Sequence, residues 1–333
     1  MIRNRARTAA VAHLVAGSVV LGACGRGSPS ILDAHGPEAR RLSSIWWLMF
    51  SMAAGVYLIV GGFIVFAILR GRTSEGGKPS RISESTFIWW GGIIVPVIIL
   101  AVLAVETVQS TSQLRRPESS PLRIEVVGKR WWWDVRYPDN GVVTANEIHI
   151  PAGRQVEVGL DSDNVIHSFW VPQLAGKLDM IPGQHNVLRF KADQPGTYRG
   201  ECAEFCGLEH ARMTFLVIAE PVDVFDRWLA RNSRPPSPPE DESAIRGELV
   251  FTRESCAGCH TVRGTQATGT VGPDLTNFGS RKWIGAITVP NTTGNLSGWI
   301  SNAQSIKPGC LMPPISLAAD DVRDLVAYLQ GLT

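Results

Sequence analysis

Three features of the sequence predict a multidomain chain: two membrane-spanning helices, then an all-β sandwich or barrel, then a small all-α domain. Two long apolar runs occupy the first third. Short alternating segments separated by turn residues follow. A Pro-rich tract, S-R-P-P-S-P-P-E-D-E from Ser233 to Glu242, then cuts off a final module of roughly 90 residues. A length of 333 residues is enough for about two or three domains. The net charge of +2 shows no basic excess that would point to nucleic acid. Of the six cysteines, five fall into patterns with their own chemistry, which argues against a disulfide framework.

The chain opens with Arg3, Arg5 and Arg7, an apolar stretch from Ala9 to Val20, and small residues before Cys24. This pattern over residues 1–23 is that of a secretory signal peptide, too short to span a membrane. Leu21-Gly22-Ala23-Cys24 resembles a bacterial lipobox, which implies cleavage before Cys24 and lipidation of its sulfur. A lipid chain adds roughly 0.8 kcal/mol of membrane affinity per buried CH2. Residues 24–44 are then an exported N-terminal segment.

Ile45 to Leu69 and Phe87 to Val108 are apolar runs of about 22–25 residues, long enough to cross roughly 30 Å of hydrocarbon. They predict a transmembrane hairpin over residues 45–110. The connecting segment carries Arg70, Arg72, Lys78 and Arg81 against Glu75 and Glu84, so it is expected to face the cytoplasm. Everything after about residue 110 is then outside, as an exported N-terminus requires. Pro96 is expected to kink the second span.

Residues 120–220 predict the β domain. Candidate strands are Arg123–Val127, Trp131–Tyr137, Glu147–Ile150, Gln155–Leu160, Val165–Val171, Asn186–Lys191, Thr197–Gly200 and Met213–Ala219, most of them separated by Pro/Gly/Asn turn signals. Many short strands at this spacing suggest a sandwich or barrel. Residues 221–232 read as an amphipathic helix with Val224, Trp228 and Leu229 on its apolar side. The Pro-rich linker, residues 233–243, should be stiff and extended at about 3 Å per residue. In the module over 244–333, Ala244–Arg253 and Asp320–Gln330 are expected helices, and the region between them, rich in Gly, Thr and Asn, is expected to be loop.

Cys202 to Met213 reads C-A-E-F-C-G-L-E-H-A-R-M. Thiolates with an imidazole and a thioether suit copper or zinc. Cys206-x-x-x-His210-x-x-Met213 is the loop of a mononuclear blue-copper site, which also needs an upstream His. The additional Cys202 exceeds that need, and two thiolates on one loop can bridge two coppers. A Cys2His2 zinc site competes but has no use for the Met. Cys256-Ala257-Gly258-Cys259-His260 is the c-type haem attachment signature: two thioethers, and His260 on the iron. Met312, the only Met of its module, lies between prolines in Lys307–Pro314 and is the expected sixth ligand. Cys310 beside it reads as a small buried residue.

With these parts in place, the chain resembles the subunit II family of haem–copper cytochrome c oxidases, in the form with a fused C-terminal cytochrome c domain. The resemblance covers nearly everything after Cys24. It implies a cupredoxin-like β domain and matches the binuclear copper motif C-x-E-x-C-x-x-x-H-x-x-M. By that match Cys202 and Cys206 bridge two coppers, His210 binds one, Met213 is a weak ligand, and Glu204 gives its backbone carbonyl. The Glu204 carboxylate would reach a magnesium ion shared with subunit I. The upstream imidazole falls at His167, in Val165–Pro172; His149 and His185 read as structural or exposed. Gly128–Trp133 resembles the family's aromatic segment, whose first Trp, here Trp131, is where an electron donor docks. On alternation Trp131 and Trp133 face one side and Trp132 the other. The family's Glu before the second span is not matched by Glu84, which lies farther from Pro96 than that pattern expects.

The resemblance implies the electron-entry subunit of a translocating oxidase in a bacterial cell membrane, with its metal domains on the outer face. Its partners would be subunit I, other oxidase subunits, and a donor such as a cytochrome c or a quinol–cytochrome c reductase complex. The linker would hold the haem domain as a tethered donor at an effective concentration in the mM range. Two other readings remain open on sequence: an electron-transfer subunit of a nitrogen-oxide reductase, and a metal-binding or delivery protein. The related quinol oxidases lack the copper ligands that are complete here.

Overall fold

The computed structural model describes residues 29–71, 83–114 and 117–333. The expected signal peptide, Cys24 and most of the basic connecting loop lie outside the described residues.

The first apolar run forms helix α1 (Pro37–Gly71), which begins well before the expected start at residue 45. The early start has a cause: its first turns pack on the β domain rather than in lipid. Ala39 is fully buried, its N–H donates to the Leu174 carbonyl at 3.2 Å, and Arg40 pairs with Asp193. The second run begins with a turn at Glu84–Phe87, passes through a π-helical stretch at Ile88–Ile94, and continues as α2 (Val95–Leu114). At Pro96, where a kink is expected, the helix has a widened turn immediately before it. Proline has no N–H to give the preceding turn, and a π-bulge is one way a helix accommodates that loss. Both helices are long and apolar enough to cross a membrane, with mean hydropathies of 2.5 and 2.6.

The β domain is a sandwich of two five-stranded sheets. One has the order β3-β2-β1-β5-β8, from β1 (Leu122–Lys129), β2 (Trp132–Tyr137), β3 (Val142–Ala145), β5 (Val156–Ser162) and β8 (Asn186–Phe190). The other has the order β4-β10-β9-β6-β7, from β4 (Glu147–Pro151), β6 (His167–Trp170), β7 (Leu178–Met180), β9 (Gly196–Cys202) and β10 (Thr214–Glu220). Alternation turns Leu122, Ile124 and Val126 inward from β1 while Arg123 and Glu125 face solvent. The centre is aromatic: Trp133 and Phe169 each lie against Phe215, with ring centroids 4.9 and 4.4 Å away. The strands β3 and β7 were not expected. They are four and three residues long, too short for alternation to mark them as strands.

Helix α3 (Val222–Asn232) buries Phe225, Trp228 and Asn232. Of the expected apolar face, Trp228 is buried, while Val224 and Leu229 are half-buried. His149 stacks on Trp228 at 4.2 Å and pairs with Glu220, so it is structural, as expected. The last module holds α4 (Glu242–Arg253), a short turn α5 (Cys256–Cys259), α6 (Thr293–Ile306) and α7 (Ala319–Gly331). Helix α6 corrects the expectation of loop between residues 254 and 319. Its Gly, Ser and Asn content gives poor intrinsic propensity. Tertiary packing overrides this, because Leu296, Ile300 and Ala303 recur at helical spacing and are buried, and the Thr292 side chain caps the start. Asp241 caps α4 by accepting from the N–H groups of Ser243 and Ala244. Arg246 of α4 reaches across to Asp324 of α7 with two hydrogen bonds, at 2.7 and 3.1 Å.

The β domain and the helical module touch directly. Glu147 of β4 is buried, and its Oε1 accepts from the N–H groups of Lys282 and Trp283 at 2.9 and 3.1 Å. Thr214 donates its hydroxyl to the Ala286 carbonyl at 2.8 Å. Arg263 donates to the carbonyls of Ser233 and Gly141. The Pro-rich linker carries no helix or strand between residues 235 and 240, and the bodies it joins share hydrogen bonds through buried groups.

Candidate metal centre and haem attachment site

Strand β9 ends on Cys202, and the loop that follows returns to β10 just after Met213. This hairpin end presents soft donors at one rim of the sandwich. The Cys202 and Cys206 sulfurs are 3.8 Å apart. An imidazole flanks each: His167 Nδ1 is 3.8 Å from Cys202 Sγ, and His210 Nδ1 is 3.7 Å from Cys206 Sγ. Met213 Sδ lies 3.7 Å from Cys206 Sγ, and the Glu204 carbonyl oxygen lies 3.2 Å from Cys202 Sγ. The donor atoms of His167, Cys202 and Cys206 all lie within 4.8 Å of one another.

Two thiols with an imidazole on each side, and a thioether beside them, form a soft donor set of the kind copper takes. The pair is also electronically primed. The hydrogen bond from the Cys206 thiol, aided by His167, pulls Cys202 far below an ordinary thiol, while Cys202 and burial push Cys206 up. The direction at Cys202 favours the thiolate that a soft cation binds.

His167 is fully buried at the start of β6. Its ring lies against the bare backbone of Gly128, where a Cβ would sit 2.8 Å from the ring carbon Cδ2. Its Nε2 lies 3.3 Å from the Asn164 side-chain oxygen, which leaves Nδ1 toward the thiols. Sequence reasoning missed Gly128 and Asn164 as supports. His185, on the far side, is exposed and pairs with Asp161.

Trp131 and Trp133 are buried, while Trp132 is half-buried under the Lys129 ammonium. Trp133 lies in the core. Trp131 is 9% exposed, and its indole N–H donates to the Cys206 carbonyl at 3.0 Å. It therefore contacts the metal loop directly but is not an open surface. Glu204 and Phe205, by contrast, are exposed at the outer edge of the loop.

In the helical module, all five described cysteines of the chain being free thiols, Cys256 and Cys259 open and close one turn of helix, and the His260 N–H donates to the Cys256 carbonyl. His260 Nδ1 donates to the Pro273 carbonyl at 2.8 Å, so its Nε2 lone pair is left for a metal. Burial pushes the imidazole down from its ordinary pKa, in the direction of the neutral form that a ligand needs. Gly272 packs on the ring, where a Cβ would lie 2.5 Å from Cε1. Met312 lies in the loop between α6 and α7. Gln304 braces that loop: its Nε2 donates to the carbonyls of Cys310 and Met312 at 2.6 and 2.9 Å, and its Oε1 accepts from the Gly309 N–H at 2.8 Å. Two thiols, a tautomer-fixed imidazole and a braced thioether loop fit a covalent haem.

The family model "Cytochrome C oxidase subunit II, periplasmic domain" matches residues 140–220, and the cytochrome c model matches residues 244–333. Cytochrome c oxidase subunit 2 of Alkalihalophilus pseudofirmus is 34% identical over 320 residues, 93% of each chain. The same subunit of Bacillus sp. (strain PS3) is 32% identical over 287 residues, 79% of each chain. The crystal structure of the periplasmic domain of cytochrome oxidase subunit II from Bradyrhizobium japonicum covers 35% of this chain and 95% of its own, at 30% identity and a TM-score of 0.34.

Proposed function

The chain belongs to the cytochrome c oxidase subunit II family, and we propose that it is the electron-entry subunit of such an oxidase. Electrons would pass from its own haem c domain to a binuclear copper centre and on to an oxygen-reducing, proton-pumping subunit I. The coarser part of this reading, a membrane protein of an oxidase with a copper domain and a haem c domain on its outer face, follows from the family and the two apolar helices. The observation that supports the electron route is the meeting of the two ligand loops. Leu208, between Cys206 and His210, lies against Gly309 at the start of the loop to Met312; a Cβ on Gly309 would lie 2.3 Å from the Leu208 methyl.

When bound, the two groups supply one-electron transfer, the protein contributing positions and potentials. Cys202, Cys206, His167 and His210 would hold the coppers, with Met213 as a weak donor and Glu204 through its carbonyl. The Glu204 carboxylate, exposed at the edge of the loop, would reach a magnesium ion shared with subunit I. Cys256 and Cys259 would hold the haem by thioethers, with His260 and Met312 on the iron. Trp131 couples to the copper loop through the Cys206 carbonyl. The chain would span a bacterial cell membrane twice, with a lipid on Cys24 as a further anchor.

Metal analysis with visible and near-infrared spectra of the purified full chain tests this reading. Two coppers and one haem c per chain, with a mixed-valence copper band, are expected. A single zinc, or copper without that band, would instead indicate a metal-delivery role.

A further inference from the structure

Lys307 is a buried lysine at the joint between the two domains, 2% exposed. It opens the segment that leads to Met312. A buried ammonium is costly unless each of its three N–H groups finds an acceptor. Here all three do. Nζ lies 2.9 Å from the Trp131 carbonyl, 2.9 Å from the Arg212 carbonyl and 3.0 Å from the Gly285 carbonyl. Two of these acceptors belong to the β domain and one to the helical module.

The two β-domain acceptors sit at the metal loop. Trp131 donates its indole N–H to the Cys206 carbonyl, and Arg212 immediately precedes Met213. The Arg212 side chain returns the contact, donating to the Ile306 carbonyl at 3.1 Å, next to Lys307. Glu209 of the same loop is 6% exposed and supplies the opposite charge close to the ammonium. The haem-bearing module thus inserts one cation into a pocket of fixed carbonyl oxygens beside the copper loop. Glu147 makes the complementary contact from the other side, accepting from Lys282 and Trp283.

We infer that Lys307 is a positioning residue that latches the haem domain onto the copper loop in one docked geometry. The fused domain is then a fixed relay rather than a tethered visitor. The inference rests on the proposed haem-to-copper route, but the latch has a readout of its own.

The test uses the full metal-loaded chain in detergent or nanodiscs, as wild type and as Lys307→Met, which keeps the length of the side chain and removes its donors. Hydrogen exchange is read at the amides of Lys282 and Trp283 and in the segment around Trp131. In the wild type these amides should exchange no faster than the core of the helical module. In the variant they should exchange at least tenfold faster while the haem and copper spectra are retained. Haem-to-copper transfer in the variant should slow and become dependent on solvent viscosity, as expected of a domain that must re-dock before each transfer. Rapid exchange at Lys282 and Trp283 in the wild type would overturn the latch without any variant. So would variant exchange and transfer rates within twofold of wild type. Absence of any haem-to-copper transfer in the wild type would count against the proposed route, while the exchange data alone would still decide the latch.

Discussion

Replacing Gly128 with alanine places a methyl carbon 2.8 Å from Cδ2 and 3.1 Å from Cγ of His167. Carbon atoms rest at about 3.5–4.0 Å, so the imidazole must retreat by roughly 0.7 Å or more. It has little room to do so. His167 is fully buried, its ring faces Trp133, and Asn164 holds its Nε2 side. The strain should cost about 1–3 kcal/mol of stability, which the sandwich core can absorb. The larger effect falls on the metal site, because Nδ1 is carried away from the Cys202 sulfur that lies 3.8 Å off. Loss of a support that orients a ligand typically weakens metal affinity by about 10–100-fold. Copper competition against a chelator, read with the near-infrared band, is the assay, and the haem c spectrum reports that the chain remains folded. A Gly128→Ala chain that takes up two coppers with wild-type affinity and an unshifted band would refute the argument that His167 is located by this bare stretch of backbone.

Other expectations follow from the same geometry. Cys202→Ser should abolish the mixed-valence band and reduce copper from two per chain to one or none, measured by metal analysis. Gln304→Ala leaves the carbonyls of Cys310 and Met312 without their donor, at a cost of about 1–3 kcal/mol, and should weaken the sulfur–iron charge-transfer band in the red; an unchanged band would show that Gln304 does not position Met312. Asp324 is held down to about 2 by its hydrogen bonds to Arg246, below its unfolded value. Its contribution to stability is therefore present above about pH 4 and is lost as the pH falls from there toward 2. Asp324→Asn should lower the melting temperature of the haem domain at neutral pH, and the gap to wild type should close across that window.

Much of the copper loop was legible because its donors are close in sequence. Cys202, Glu204, Cys206, His210 and Met213 occupy a single hairpin end, and local spacing alone brings them together. His167 came only with the family pattern, since a lone His on a strand carries no spacing signal. The supports were illegible: nothing in the sequence marks Gly128 as the residue that His167 packs on, 39 positions ahead of it. Helix α6 was missed because its propensity is poor and its order comes from burial of Leu296, Ile300 and Ala303. The joint between the domains was the least visible part. Lys307 meets the Trp131 carbonyl across 176 positions, and Glu147 meets Lys282 across 135. A Pro-rich linker suggests separation, but packing decides the outcome, and buried partners for Glu147 and Lys307 bring the domains together. Trp131 belongs to the same joint: its backbone carbonyl accepts from Lys307, while its indole N–H stays on the Cys206 carbonyl.

The most direct test of the account injects one electron into the oxidised full chain by a fast photochemical or radiolytic pulse and follows the haem and copper bands together. The account predicts that the haem reduces first and then reoxidises as the copper band bleaches. It further predicts that the rate is independent of protein concentration, because both sites belong to one molecule. A copper signal that changes only with increasing protein concentration, or that never follows the haem, would contradict it.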